Sequence, residues 1–200
     1  MDLQHINVKL LVNRPAEVDL EALIPVFHSW IQEQVAEELL LDVADYRHVS
    51  AGPGVVLIGH EANYSLDNTD NRLGVRYNRK APLEGTNQDR LFQAARAALA
   101  ACRRLETEVR LGGKIRFSGR EIEVFINDRL LAPNSQATRE AAGPEFQTFF
   151  ERLFASPEFA LSYPQDQRSL FSVTAKSVRA YESTELLANL QLLGCLSNPR

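Results

Sequence analysis

The chain has 200 residues, of which 44% are hydrophobic and 24% charged, with a formal net charge of −4. These values are ordinary for a globular domain and exclude a disordered, collagen-like or disulfide-stapled chain. No apolar run approaches the roughly 20 residues that span a bilayer, and the first residues lack a signal-peptide pattern. We therefore predict a soluble cytoplasmic protein that uses no membrane.

The first half of the chain contains alternating and amphipathic patterns. Residues 5–12 read as a strand, and apolar residues from 20 onward recur at helical spacing. A second strand, 39–49, and a third, 55–58, flank the turn signal Gly52-Pro53-Gly54. A polar segment, 60–67, follows, and residues 68–71 are predicted to form a loop. Residues 72–79 alternate as a half-exposed strand, and an alanine-rich helix follows from about residue 90.

The second half repeats this order. Residues 114–117 and 121–127 predict a hairpin that turns at Ser118-Gly119, and residues 128–143 predict a long connection. Pro144 is expected to open a helix, since proline fits a first helical turn. Two short strands, 159–163 and 170–175, and a helix over 182–193 complete the chain.

These elements predict an α+β fold with an antiparallel or mixed sheet and about four helices. The recurring order favours two tandem β-α-β-β-α halves, residues 1–111 and 112–200, packed as one compact unit. A cleft between such halves is the default place for a ligand. Chance similarity between two α+β units is the alternative. Cys102 and Cys195 are expected to be free, buried thiols in a reducing compartment.

Titratable residues are densest between positions 42 and 67, which gives one candidate site. A hairpin over Gly52-Pro53-Gly54 would bring His48 towards His60, with Asp45 and Glu61 nearby. These side chains suit a transition metal or an acid–base pair. An enzyme, perhaps a metal-assisted or acid–base hydrolase, would use them as catalytic residues, with His48, His60 and Glu61 as metal ligands. The competing interpretation is that they cap strands and solvate a loop.

The charge distribution gives a second candidate. Residues 1–71 carry 3 Lys+Arg against 12 Asp+Glu, whereas residues 72–120 carry 12 against 4. Arg72 and Arg76, with Tyr64 and Tyr77 close in sequence, are predicted to hold an anionic ligand. RNA binding through residues 72–120 is a weaker alternative, because the whole chain is acidic.

Our expectation from sequence is a non-catalytic ligand-binding or protein-interaction domain. The hydrolase and the anion or RNA binder are the alternatives. We predict no cofactor, a transition metal being needed only by the hydrolase alternative. The expected partner is a small anionic ligand or a protein; nucleic acid is not favoured, and a homodimer is left open.

Overall fold

The computed structural model describes residues 1–194. It contains four α-helices and one antiparallel sheet of eight strands, which confirms the predicted α+β class. The strands are β1 (Ile6–Val12), β2 (Leu40–Tyr46), β3 (Gly54–Gly59), β4 (Ala62–Asp67), β5 (Gly74–Arg79), β6 (Phe117–Ile126), β7 (Phe159–Ser162) and β8 (Phe171–Ser177). The helices are α1 (Leu23–Glu33), α2 (Asn87–Thr107), α3 (Gln136–Phe154) and α4 (Ser183–Gly194).

The strand order across the sheet is β2-β3-β4-β5-β1-β6-β8-β7. β1 and β6 are neighbours in the interior of the sheet, so the first strand of each predicted half lies beside the other. Each of these two strands is followed by a helix, by strands that return to its side, and by a second helix. The first half has two strands more than the second. The division at residue 111 and the duplication stay predictions.

All four helices cover the same face of the sheet. Strand residues alternate between faces, and Val8, Tyr77 and Val124 occupy adjacent positions of one row on the covered face. The core lies between this face and the helices, and α3 contributes several phenylalanines to it. The ring centroids of Phe149 and Phe150 are 4.8 Å apart. The opposite face carries no helix from the part of the chain that the structure describes. We call it the helix-free face.

Three elements differ from the sequence prediction. The polar segment 60–67, for which no strand is predicted, contains β4, whose residues Ala62, Tyr64 and Leu66 are buried. The predicted hairpin at Ser118-Gly119 is one continuous strand, β6, with a register irregularity opposite Leu10 and Leu11. Glycine is needed at 119 because a Cβ there would lie 2.6 Å from the Tyr181 carbonyl oxygen.

The third difference is the start of α3. The helix begins at Gln136, where the Ser135 side chain caps it by accepting a hydrogen bond from the Thr138 backbone N–H. Pro144 therefore lies inside the helix rather than at its start. The predicted long connection is correspondingly short.

Cys102 is a free thiol buried on α2, and burial raises its pKa well above the ordinary value. Cys195 lies outside the described residues. Among the helices of residues 1–194, none is long and apolar enough to cross a membrane.

Candidate functional site

A cleft of about 510 Å³ opens between the helices and the strands β3, β4 and β5. We call it the helix-side cleft. Its elements are α1 and the loop after it, the sheet, the middle of α2, and α4. The apolar side chains that line it include Trp30, Val35, Leu57, Ala97, Ala100 and Leu187. A concave, mainly apolar site with a few polar groups is what small-molecule sites have in common.

The small residues of α2 make this space. Three alanines of this helix face the cleft: Ala97, Ala100 and Ala101. Larger side chains at these positions would fill it. The helix itself is well anchored, because Thr86 and Asp89 form a reciprocal capping box at its start. This wall of the cleft is thus a stable helix that presents small side chains.

Tyr64 lies on the floor of the cleft and packs against Tyr77, which is fully buried. Tyr64 on β4 and Tyr77 on β5 are cross-strand partners, with ring centroids 5.2 Å apart. The Tyr77 hydroxyl and the Gln93 side-chain amide of α2 are 3.1 Å apart, so they hydrogen-bond across the layer between sheet and helix. Burial raises the pKa of both tyrosines. Both hydroxyls therefore remain neutral hydrogen-bonding groups at physiological pH.

Most charges in the cleft are paired with one another. Arg79 Nη1 lies 2.9 Å from Glu61 Oε2, and the Arg79 Nε–H donates to the Ala81 carbonyl oxygen at 2.9 Å. Arg96 on α2 forms a salt bridge of 2.8 Å with Glu37 in the loop after α1. These contacts join the loop, the sheet and the helix around the opening of the cleft.

Glu38 differs from the other carboxylates. Its Oε2 atom is buried and has no hydrogen-bond partner among the described residues. Gly59 leaves room for it, since a Cβ at that position would lie 3.1 Å from this oxygen. The Glu38 charge also raises the pKa of Tyr64, second to burial, which places the carboxylate close to the Tyr64 hydroxyl. A buried acceptor without a donor is rare in proteins and costs free energy.

Some of the predicted site residues come together in this cleft. Glu61 and Tyr64 line it, and Tyr77 reaches it through Gln93. Sequence reasoning did not identify Glu38, Trp30 or Arg79 as site residues. Arg79 could have been found, because it has the same strand alternation as Tyr77 and must therefore share its face.

The predicted histidine cluster does not form. His48 lies in the turn between β2 and β3, and His60 lies in the turn between β3 and β4. The whole of β3 separates them, which is about 20 Å for six extended residues. The expectation that they approach each other is wrong, because the hairpin pairs Asp45 with Val55 and places His60 beyond the opposite end of that strand.

The remaining members of that cluster are also separate. Asp45 binds Arg47 at 2.8 Å, and this contact lowers the Asp45 pKa to about 2. Both histidines are exposed, and the ring of His48 stacks on Tyr46 with 6.4 Å between centroids. Within residues 1–194 no group of three His, Cys, Asp or Glu side chains is placed to hold a metal ion.

Arg72 and Arg76 do not share a site with the tyrosines. Arg76 precedes Tyr77 on β5, so its side chain points to the helix-free face. Arg72 on that face is held by Glu121, at 2.6 Å, and by Glu123. Arg76 lies over the ring of Phe125, 4.7 Å from its centroid, and 3.9 Å from Asp67. The predicted group of four ligand-binding residues is thus divided between two faces.

Comparison with protein-family models gives no match, and neither does comparison with curated proteins. Function must be inferred from the geometry of the cleft.

Proposed function

We propose that the protein is a non-catalytic binding domain that takes a small organic molecule into the helix-side cleft. The observation that carries this proposal is the combination of apolar walls with a buried, unpartnered carboxylate oxygen of Glu38 at one place in the cleft. A bound molecule would bury apolar surface and supply the missing donor at once.

A binding role is favoured over a catalytic one by the pairing of the polar groups. Arg79 is engaged by Glu61 and by a backbone carbonyl, and Tyr77 by Gln93. Such contacts fix side chains in place, and both tyrosine hydroxyls are held neutral by burial. A general base needs a pKa near the working pH and a reachable proton, which these groups do not offer.

A small anionic ligand was the expectation from sequence, resting on Arg72 and Arg76. Their position on the helix-free face, beside Asp67, Glu121 and Glu123, removes that basis. The proposed ligand is therefore defined by the cleft alone. We also propose that the protein works in a reducing cytoplasm and that its two halves are a tandem duplication. The pairing of β1 with β6 is in keeping with the duplication.

A protein partner is a second candidate, favoured by the surface around the edge strand β2. Leu39, Leu41, Tyr46 and Val49 are each more than 40% exposed there. Unprotected edge strands with apolar residues tend to recruit other chains. Light scattering across a concentration series tests for a second copy: a constant monomer mass in wild type and in Leu41→Lys contradicts the homodimer.

The cleft proposal is tested by a thermal-shift screen of a chemically diverse fragment set. Ala100→Phe is designed to fill the cleft, because Ala100 lines it and is exposed on α2. Ala137→Phe makes the same change at an exposed position of α3 outside the cleft. We expect fragments that stabilise wild type and Ala137→Phe but not Ala100→Phe. The proposal is contradicted if every stabilising fragment stabilises all three proteins equally, or if no fragment stabilises wild type.

A further inference from the structure

We propose that the ligand of the helix-side cleft is an organic ammonium compound, a protonated amine joined to an apolar body, with the amine bound by Glu38. This inference rests on the proposed function, and it specifies the ligand of the same site.

The acceptor side of this inference is Glu38. Its Oε2 atom is buried in the cleft and makes no hydrogen bond with residues 1–194, although the Tyr64 hydroxyl lies close enough to the carboxylate to interact with it. An ionised carboxylate in such a place is stabilised by a charged donor far more than by a neutral one. An ammonium group offers three N–H donors and a positive charge, so it satisfies the orphan oxygen and neutralises the carboxylate together.

The arginines that line the cleft do not bind this oxygen. Arg79 is directed to Glu61 at 2.9 Å and to the carbonyl oxygens of Ala81 and Pro82, at 2.9 and 3.5 Å. Arg96 is bound to Glu37 at 2.8 Å. Arg104 also lines the cleft but is exposed, where water screens its charge. The negative charges of Glu38 and Glu37 both raise the pKa of the Tyr64 hydroxyl. The electrostatic potential near this hydroxyl is therefore negative.

The aromatic residues add a second reason for a cation. Trp30 and Tyr64 both line the cleft and are only 5% and 8% exposed. Their ring faces attract ammonium groups by the cation–π interaction, which is strongest for tryptophan. The apolar body of the ligand would pack on Leu57, Ala97 and Leu187. A carboxylate in place of the amine would be repelled by the Glu38 charge.

The experiment compares two probes of matched shape, 2-phenylethylamine and 3-phenylpropionate, at neutral pH. The chain has one tryptophan, Trp30, so its intrinsic fluorescence reports directly on the cleft. We expect the amine to bind at least about tenfold more tightly than the acid, the usual size of a charge-assisted hydrogen bond. Glu38→Gln keeps the size of the side chain but removes its charge, and should weaken amine binding by about the same factor.

Glu33→Gln is the matched control, because Glu33 is an exposed glutamate at the end of α1 that does not line the cleft. It should leave amine binding within about twofold of wild type, as expected for an exposed charge. Circular dichroism and thermal melting of each variant establish that it is folded before binding is measured.

Three results overturn the inference: equal or tighter binding of 3-phenylpropionate, amine binding unaffected by Glu38→Gln, or equal losses in Glu33→Gln and Glu38→Gln. Failure of the binding site itself has a different signature. In that case neither these probes nor the fragments of the screen would distinguish wild type from Ala100→Phe.

Discussion

Lys9 on β1 and Asp67 at the end of β4 form a salt bridge of 2.6 Å on the helix-free face, although β5 lies between their strands. The two side chains are only 2% and 3% exposed. Asp67 also accepts hydrogen bonds from the Thr69 backbone N–H and hydroxyl, at 3.2 and 2.9 Å. The pair therefore ties three strands and the following loop together on a face that no helix covers within residues 1–194.

Removing the Asp67 charge should be strongly destabilising. Asp67→Asn removes the carboxylate bound to the buried Lys9 ammonium and leaves only the charge of its cross-strand partner Glu123 nearby, a loss of up to about 3–5 kcal/mol. Urea unfolding followed by circular dichroism measures the change in the free energy of unfolding. Asp166→Asn is the control, because the Asp166–Arg168 pair is 51% and 91% exposed; its effect should be below about 1 kcal/mol. Equal losses of unfolding free energy from the two substitutions would show that the Lys9–Asp67 pair stabilises the protein no more than an exposed pair does.

The turn between β2 and β3 depends on a glycine. Gly54 has φ +65°, and a Cβ there would lie 2.1 Å from the Leu66 carbonyl oxygen on β4. Gly112 also has positive φ, at +59°, but nothing lies within 4 Å of its Cβ position. Gly112→Ala should therefore cost only the backbone strain of about 1 kcal/mol. Gly54→Ala should cost at least about 2 kcal/mol more, through overpacking. Similar unfolding free energies for the two variants would contradict this close approach of β3 to β4.

Alkaline titration tests the burial of the cleft floor. Tyr64 and Tyr77 have pKa values raised above the ordinary 10.0, in both cases chiefly by burial. In the unfolded chain they lose their protons near pH 10, whereas in the folded protein they retain them. Stability that is fully present below pH 10 is consequently lost as pH rises further.

Absorbance at the tyrosinate band measures this directly. Between pH 10 and the onset of unfolding, Tyr64→Phe should leave the native absorbance increase unchanged, because Tyr64 does not contribute to it. The contribution of Tyr64 to the absorbance increase should appear only on unfolding. A smaller native increase in Tyr64→Phe than in wild type would show that the Tyr64 hydroxyl is open to water.

The sequence was sufficient for the fold class and for most elements, because their signals are local. The alternation that separates Arg76 from Tyr77 was visible in residues 72–79 and already placed them on opposite faces. The predicted group of Tyr64, Arg72, Arg76 and Tyr77 does not form, because residues that are close in sequence need not be close in space. Within a strand, the period of two makes neighbours diverge.

The site was harder to predict than the fold, since it depends on long-range placement. Glu38 follows α1 in a loop, and only packing against Gly59 and beside Tyr64 distinguishes it from the exposed Glu37. β4 was missed because Gly59, His60 and Glu61 resemble the start of a loop, although Tyr64 and Leu66 alternate with polar residues. Pro144 was placed at a helix start by a local rule, whereas the Ser135 cap begins the helix earlier.

The most direct test of the cleft as a ligand site is the indole N–H resonance of Trp30. With one tryptophan in the chain, a ¹H–¹⁵N spectrum contains a single such peak. During titration with 2-phenylethylamine we predict a saturable shift of this peak in wild type and none in Ala100→Phe. An indole peak that stays in place in wild type, while backbone peaks of Asn7, Arg76 and Phe125 shift, would put the ligand on the helix-free face and contradict the proposal.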